Sequence, residues 1–450
     1  MRLSRLCPWV CLCVVFLLIS CQTAPEPTPF LSLFSPNAIN FPEEGGTQTI
    51  SFTTNSEWTV MTSGSWLKVS PSSGQNTDGD AVVSVRCNKN SSYDPLSGTI
   101  KIKAGGLRES ISVTQDAKSY PVELHFSEGV ELICLIFRLM GAPEYEYTIP
   151  VVAERTDSFF ASMKDHEAIE IARECRRYGV SYDAVTAYGL HLLISDEGSI
   201  TFNPFYVEST DSSFNRWPNS QKSKMLVALN DFYQKSRFHE WYQSLDPLRQ
   251  QATDSFKRNC DIDYEWFDRF FGPKDDLSIQ ILLSFLIGNH NHGLSVDLAD
   301  GGFLLSPIMG SVKQNDNGIL YYTSGIEGTV SHEFCHPYCN PLISKYWDSI
   351  KDKANAVFKT VESQMRSQAY SNAQTMMHET FVRACSTRYL ITHGYDQSKE
   401  ELIQYQESRG FMMVRSLVDV LETREKNQVQ YATMDDFMPE IIKAINNFQL

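Results

Sequence analysis

Ser331-His332-Glu333-Phe334-Cys335-His336 is the stretch on which the reading of this chain turns. On a helix, residues four apart lie on one face, one turn from each other. His332 and His336 can then aim two imidazole nitrogens at one point, with Glu333 beside them to accept a proton. The spacing His-Glu-x-x-His is the one by which a helix holds zinc and keeps a general base at hand. It predicts a helix here, in a domain built around a catalytic metal. The competing reading is a pair of polar residues on a solvated helix face.

A catalytic zinc takes three protein ligands and leaves one position for water. The longer motif, His-Glu-x-x-His-x-x-Gly-x-x-His, needs Gly at 339 and His at 342. Cys339 and Leu342 stand there, so that class is excluded. The common remaining solution is a carboxylate on a later helix, the gluzincin-like arrangement. Glu379 is the best candidate, 43 residues after His336. That leaves room for one helix, about Leu342 to Met365, and a turn. Its own segment, Ala373 to Tyr389, has Met377, Phe381, Ala384 and Arg388 at roughly helical spacing. The alternatives are an exposed ion pair between Glu379 and Arg383, and Asp348 or Glu362 as third ligand. Cys339 as a ligand would instead give a closed structural site. Pro337 is expected to kink or tighten the helix just past His336, which then stops before Asn340-Pro341.

With zinc as cofactor, the expected chemistry is hydrolysis of an amide by metal-activated water, Glu333 serving as general base. Candidates for a second donor to the reacting carbonyl are His378, Tyr322 and His292, with Tyr321 and Tyr338 behind them. His290 and His292, in Asn289-His290-Asn291-His292-Gly293, read either as a metal pair on a strand or, more simply, as a polar turn.

Working outward, Gly302 to Met309 and Ile319 to Thr323 read as strands joined by the polar turn Gln314-Asn315-Asp316-Asn317-Gly318. Ile279 to Ile287 is apolar and fits a strand or a buried helix. Gly129–Met140, Asp165–Tyr178, Lys222–Lys235 and Pro247–Phe271 have helical spacing, and the chain from about Ile326 to Leu450 reads as helices. The strands before the metal helix offer an edge on which an extended substrate can pair. Glu131-Leu132-Ile133, Asp165-His166 with Ala168, Ser181-Tyr182-Asp183-Ala184-Val185, the His332–His336 segment with Asn340-Pro341, and His378-Glu379-Thr380-Phe381-Val382-Arg383-Ala384 carry a resemblance. Over residues 120–450 the chain is similar to a family of bacterial secreted proteins of unassigned function and zincin-like character. That resemblance implies a mainly-α (α+β) metallopeptidase domain and supplies no substrate.

Residues 34–117 differ in kind. Thr49–Thr53, Ala81–Val85, Thr99–Lys103 and Ser110–Thr114 alternate apolar and polar, with turn clusters at Glu44-Gly45-Gly46, Ser72-Ser73-Gly74, Asp94-Pro95 and Gly105-Gly106. Short strands at this spacing predict an antiparallel β-sandwich. Asn55-Ser56-Glu57-Trp58, the run Trp66 to Gly74, Ser97-Gly98-Thr99-Ile100 and Ser112-Val113-Thr114-Gln115 resemble the BACON domain, an Ig-like module. The resemblance implies the fold and, more weakly, a glycan partner. Trp58 and Trp66 read as core residues before sugar platforms. The expected layout is therefore multidomain, an all-β Ig-like sandwich followed by the α+β domain.

At the start of the chain, Arg2 and Arg5 precede the short apolar run Trp9–Ile19, too short to span a bilayer as a mature helix. Leu18-Ile19-Ser20-Cys21 resembles the lipobox of bacterial lipoproteins. Residues 1–21 then form a signal peptide, Cys21 receives lipid, and 22–33 is a tether with three prolines between Gln22 and Pro29. The expected location is the outer membrane, facing the periplasm or the cell exterior. The remaining Cys, at 87, 134, 175, 260, 335, 339 and 385, are odd in number and do not form a disulfide framework. A net charge of -15 argues against a nucleic-acid partner. The leading reading is a lipid-anchored zinc metallopeptidase acting on protein or glycoprotein. Its rivals are a glycan-binding surface lipoprotein with an inactive zincin-like domain, and a zinc hydrolase of glycoprotein or cell-wall substrates.

Overall fold

A computed structural model describes residues 27–449 apart from 76–79, 93, 120–121, 148, 208–212, 275 and 396. The signal segment 1–21, Cys21 and the start of the tether, 22–26, lie outside the described residues. The chain divides into two compact units, Met1–Ser119 and Tyr120–Leu450.

The first unit is all β. Its strands are β1 (Leu31–Leu33), β2 (Ala38–Phe41), β3 (Gly46–Thr54), β4 (Trp58–Thr62), β5 (Leu67–Ser70), β6 (Ser73–Gly74), β7 (Asp80–Cys87), β8 (Leu96–Ala104) and β9 (Leu107–Gln115). They form two sheets, β1-β3-β7-β5 and β2-β9-β8-β4-β6. The alternation read from sequence is the inward-outward pattern of these strands. Ile50, Phe52, Val83 and Val85 from one sheet share a core with Val60, Ile100, Ile102, Ile111 and Val113 from the other. The structure departs from expectation twice. The tether ends earlier, because Leu31–Leu33 pair with Phe52–Thr54 and both leucines pack on the core. The sandwich is also not wholly antiparallel, since β2 runs parallel to β9. Trp58 is core, 5% exposed and edge-on to Phe52 at 5.1 Å, so its ring is closed to a sugar.

The second unit is mainly helical around one mixed sheet. In chain order its elements are β10 (Val122–Phe126), α1 (Glu128–Met140), α2 (Pro143–Glu146), α3 (Pro150–Phe159), α4 (Glu167–Arg177), α5 (Asp183–Leu190), the hairpin β11 (Leu192–Ile194) and β12 (Ile200–Phe202), β13 (Tyr206–Val207), α6 (Asn219–Ser236), α7 (Phe238–Ser244), α8 (Asp246–Asn259), α9 (Tyr264–Phe271), β14 (Leu277–Leu283), β15 (Asn291–Leu298), β16 (Phe303–Met309), the hairpin β17 (Lys313–Gln314) and β18 (Leu320–Tyr321), then α10 (Ile326–Lys345), α11 (Trp347–Ser367), α12 (Ala373–Thr392), α13 (Lys399–Ser408), α14 (Val414–Lys426) and α15 (Met434–Asn447). The sheet order is β10-β14-β16-β15-β13, parallel from β10 to β16 and antiparallel from β16 to β13.

One open reading is resolved here and several expectations are corrected. The apolar run from Ile279 is a strand, buried between parallel neighbours. The stretch Pro247–Phe271 breaks at Cys260 into α8 and α9, where Asp263 caps the second helix by accepting from the Trp266 N–H. The polar turn at Gln314–Gly318 joins β17 to β18 rather than β16 to a partner. Asn291 to Gly293 begins a strand of the main sheet, not a turn. Among the described residues, no helix is long and apolar enough to cross a membrane.

Candidate metal centre

α10 starts after Gly325, whose φ of +85° suits glycine, and runs through both Pro337 and Pro341 to Lys345. The expected stop before Asn340 does not occur. Pro337 frees the Glu333 carbonyl from its helical bond. That carbonyl faces Gly293 of β15, where even a Cβ would come within 2.0 Å of it, so the sheet backs the weakened turn. On another side of α10, Phe334 packs on Tyr264 and Phe267, and Tyr338 stacks on Phe271 at 4.5 Å. These contacts fix the roll of the helix.

The roll turns His332 and His336 together, with their Nε2 atoms 3.3 Å apart. α12 opens on Asn372, which accepts from the Thr375 N–H at 2.9 Å, and presents Glu379 two turns in. Glu379 Oε1 is 3.3 Å from His332 Nε2, and its Oε2 is 3.7 Å from His336 Nε2. Donor atoms of these three residues all lie within 4.8 Å of one another, a group that could hold a metal ion. Two nitrogens and one carboxylate fit a zinc-type donor set with a position to spare. The Glu333 carboxylate is 3.8 Å from His336 Nε2 and receives the Gly293 N–H.

The charges around the group are arranged unequally. Burial pushes the Glu333 carboxyl up to about 7, against the pull of His332. Burial would raise Glu379 too, but His332 and Arg383 outweigh it and hold that carboxyl well below the usual range. Burial pushes His336 down to about 4, which keeps its imidazole neutral and able to donate a lone pair. Asn340 Nδ2 sits 3.4 Å from His336 Nδ1.

The other residues singled out from the sequence are dispersed. His292 is buried on β15, with Nδ1 2.8 Å from Thr186 Oγ1 on α5; burial pushes its imidazole down to about 4, and His336 lies near enough to add to that. His290 lies edge-on to Tyr182 at 5.2 Å rather than paired on a metal. His378 Nε2 is 3.0 Å from Ser344 Oγ and ties α12 to the end of α10. Tyr322 is a core residue, edge-on to Phe256, its hydroxyl donating to the Met309 carbonyl at 3.4 Å, which removes it as a donor to substrate. Asp348 and Glu362 are ion-paired with Lys351 and Arg366 on the surface and are not third ligands. Cys339 is not a ligand either. Its thiol bonds those of Cys335 and Cys385, all three buried between α10 and α12.

Sequence reasoning missed two parts of this site. One is Gly293. The other is the cluster behind His292, where Thr186 and Asp183 share α5 and Asp183 pairs with Arg216. Asp183 stood within a quoted motif, which ended one residue before Thr186, and the contact of Thr186 with His292 on β15 spans 106 positions and leaves no local period.

The family described as domain of unknown function, DUF4932, matches residues 152–444. This chain belongs to the DUF4932 family. The His332, His336 and Glu379 group of this DUF4932 member falls wholly inside the matched region. Residues 32–118 match the viral BACON domain, in agreement with the sandwich. Among curated proteins, none matches the chain. Among solved structures it is similar to a Bacteroides ovatus GH5 xyloglucanase in complex with a XXXG heptasaccharide, at 15% identity and a TM-score of 0.19, covering 45% of this chain and 43% of that one. It is also similar to a protein from Bacteroides thetaiotaomicron solved by NMR, at 18% identity and a TM-score of 0.15, over 22% of this chain and 96% of that one. The chain thus spans less than half of the xyloglucanase, and neither likeness bears on the activity of the DUF4932 region.

Proposed function

We propose that this chain is a zinc-dependent metallopeptidase, or more broadly a zinc-dependent amide hydrolase, anchored by lipid on Cys21 to an outer membrane. One observation carries the reading: His332, His336 and Glu379 converge, with the buried Glu333 carboxyl beside them. This donor set is that of a catalytic site, which keeps a position for water. Zinc held there would supply a water with a pKa of about 7 and polarise a carbonyl. The remaining work falls to the chain. Glu333 accepts a proton from the attacking water and returns it to the leaving amine. Its burial favours the uncharged form and so helps it act in both directions near neutral pH. His292, pinned by Thr186 and next to His336, is the candidate donor to negative charge that develops on the substrate. The substrate class is protein or glycoprotein, and the sandwich is a spacer with a glycan as its candidate partner.

The test is metal content and cleavage in the chain produced without residues 1–21. About one zinc per chain is expected in wild type and in Glu333→Gln, with loss in His332→Ala and Glu379→Ala. Cleavage of a peptide library should fall by roughly 10²–10⁴-fold in Glu333→Gln. Full zinc in Glu379→Ala, or undiminished cleavage in Glu333→Gln, rules the reading out. A wild type that is blank on peptides but cleaves glycopeptides or cell-wall cross-links moves the substrate class to those.

A further inference from the structure

Arg383 lies one turn beyond Glu379 on α12 and is 8% exposed. Its Nη2 is 2.6 Å from Glu379 Oε1. Its Nη1 donates to Gln406 Oε1 on α13 at 2.8 Å, its guanidinium carbon lies 4.4 Å from the centre of the Phe411 ring, and the Tyr370 hydroxyl bonds it as well. An exposed pair at this spacing contributes little and leaves both side chains free to turn. This one is buried and braced from three directions, so it holds the Glu379 carboxylate in one orientation.

The consequence falls on the ligand set. Oε1 already accepts a short charge-assisted bond. Glu379 is thereby restrained from chelating an ion with both oxygens. We propose that Arg383 is a specificity-determining residue for the metal: it makes Glu379 a one-oxygen ligand, and so favours four-coordinate zinc over manganese. Zinc is satisfied by three protein donors and one water in a tetrahedron, whereas manganese prefers six oxygen-rich positions. The guanidinium charge also makes the pocket a poorer home for an ion that binds mainly by charge. This inference rests on the metal-site reading above.

The experiment compares zinc, manganese and cobalt binding to the chain lacking residues 1–21, in wild type, Arg383→Met, Arg383→Lys and Gln406→Ala. In Arg383→Met the preference for zinc over manganese should narrow by about tenfold or more, as expected when a partner that orients a ligand is lost. The visible bands of bound cobalt should weaken as its coordination number rises. Arg383→Lys keeps the charge without the fork and should fall between. Gln406→Ala removes one brace and should shift the preference the same way by less; it decides the matter if circular dichroism finds Arg383→Met unfolded. An unchanged zinc-to-manganese ratio and cobalt spectrum in the folded variant overturn the inference while leaving the metal site intact. A wild type that binds no ion overturns both.

Discussion

At position 293 β15 and α10 leave no space for a methyl group. A Cβ there would stand 2.0 Å from the Glu333 carbonyl oxygen and 2.9 Å from the His336 Cβ. Gly293→Ala must therefore push β15 and α10 apart. The expected cost is about 1–3 kcal/mol in urea unfolding, as for other overpacked cores, with weaker zinc binding because His336 moves with its backbone. Unchanged unfolding and unchanged binding would show that the strand yields freely. Much of the site's inner residues could be read in advance. His332, Glu333 and His336 follow from a local spacing, and Glu379 from the donor count and the chain length between helices. The pairing of Arg383 with Glu379 was legible as an i,i+4 spacing, but its burial was not, because Gln406 and Phe411 reach it from beyond α12. Gly293 and Thr186 could not be read in the same way: their roles are contacts between elements far apart in sequence, and a glycine that matters for lacking a side chain leaves no pattern.

At the level of elements, most helices and strands followed from period and turn chemistry, as with α1, α4 and the strands of the sandwich. The failures share a cause. α10 passes two prolines because neighbouring elements hold the helix where its own hydrogen bonds are lost, and tertiary support is invisible in a local rule. β15 was hidden by its polar first residues, of which His292 meets Thr186 on α5 and Asn291 meets Ser311 and Gly310 just past β16. α1 meets the sheet through another buried group. Its Glu131 carboxylate receives the N–H groups of Phe285 and Leu286, just past β14, at 2.6 and 3.0 Å. Burial pushes this carboxyl up to about 7 from its ordinary 4.5, more than those bonds pull it down. The folded state therefore binds a proton more tightly than the unfolded chain. The stability this contributes is complete below about pH 4.5 and is lost as pH rises through about 7. Relative to Glu131→Gln, the wild type should lose on the order of 3 kcal/mol between these limits. Denaturation at pH 5 and pH 8 measures it, and a wild type that gains stability over that interval relative to the variant would contradict it.

For the molecule as a whole, two units with separate cores should melt as two transitions. The proposed zinc site lies in one of them, the unit of residues 120–450. At about a hundredfold excess over its dissociation constant, zinc should stabilise that unit by about 2.7 kcal/mol. Calorimetry should then show the transition of residues 120–450 move upward while that of the sandwich stays in place. Movement of both, or of the sandwich alone, would put the ion elsewhere. The three thiols packed between α10 and α12 add a constraint of timing. In a compartment where thiol oxidases operate, a bridge made too early between Cys335, Cys339 and Cys385 would hold the two helices out of register. Were the chain exported to such a compartment, these helices would have to close over their sulfurs before an oxidase reached them.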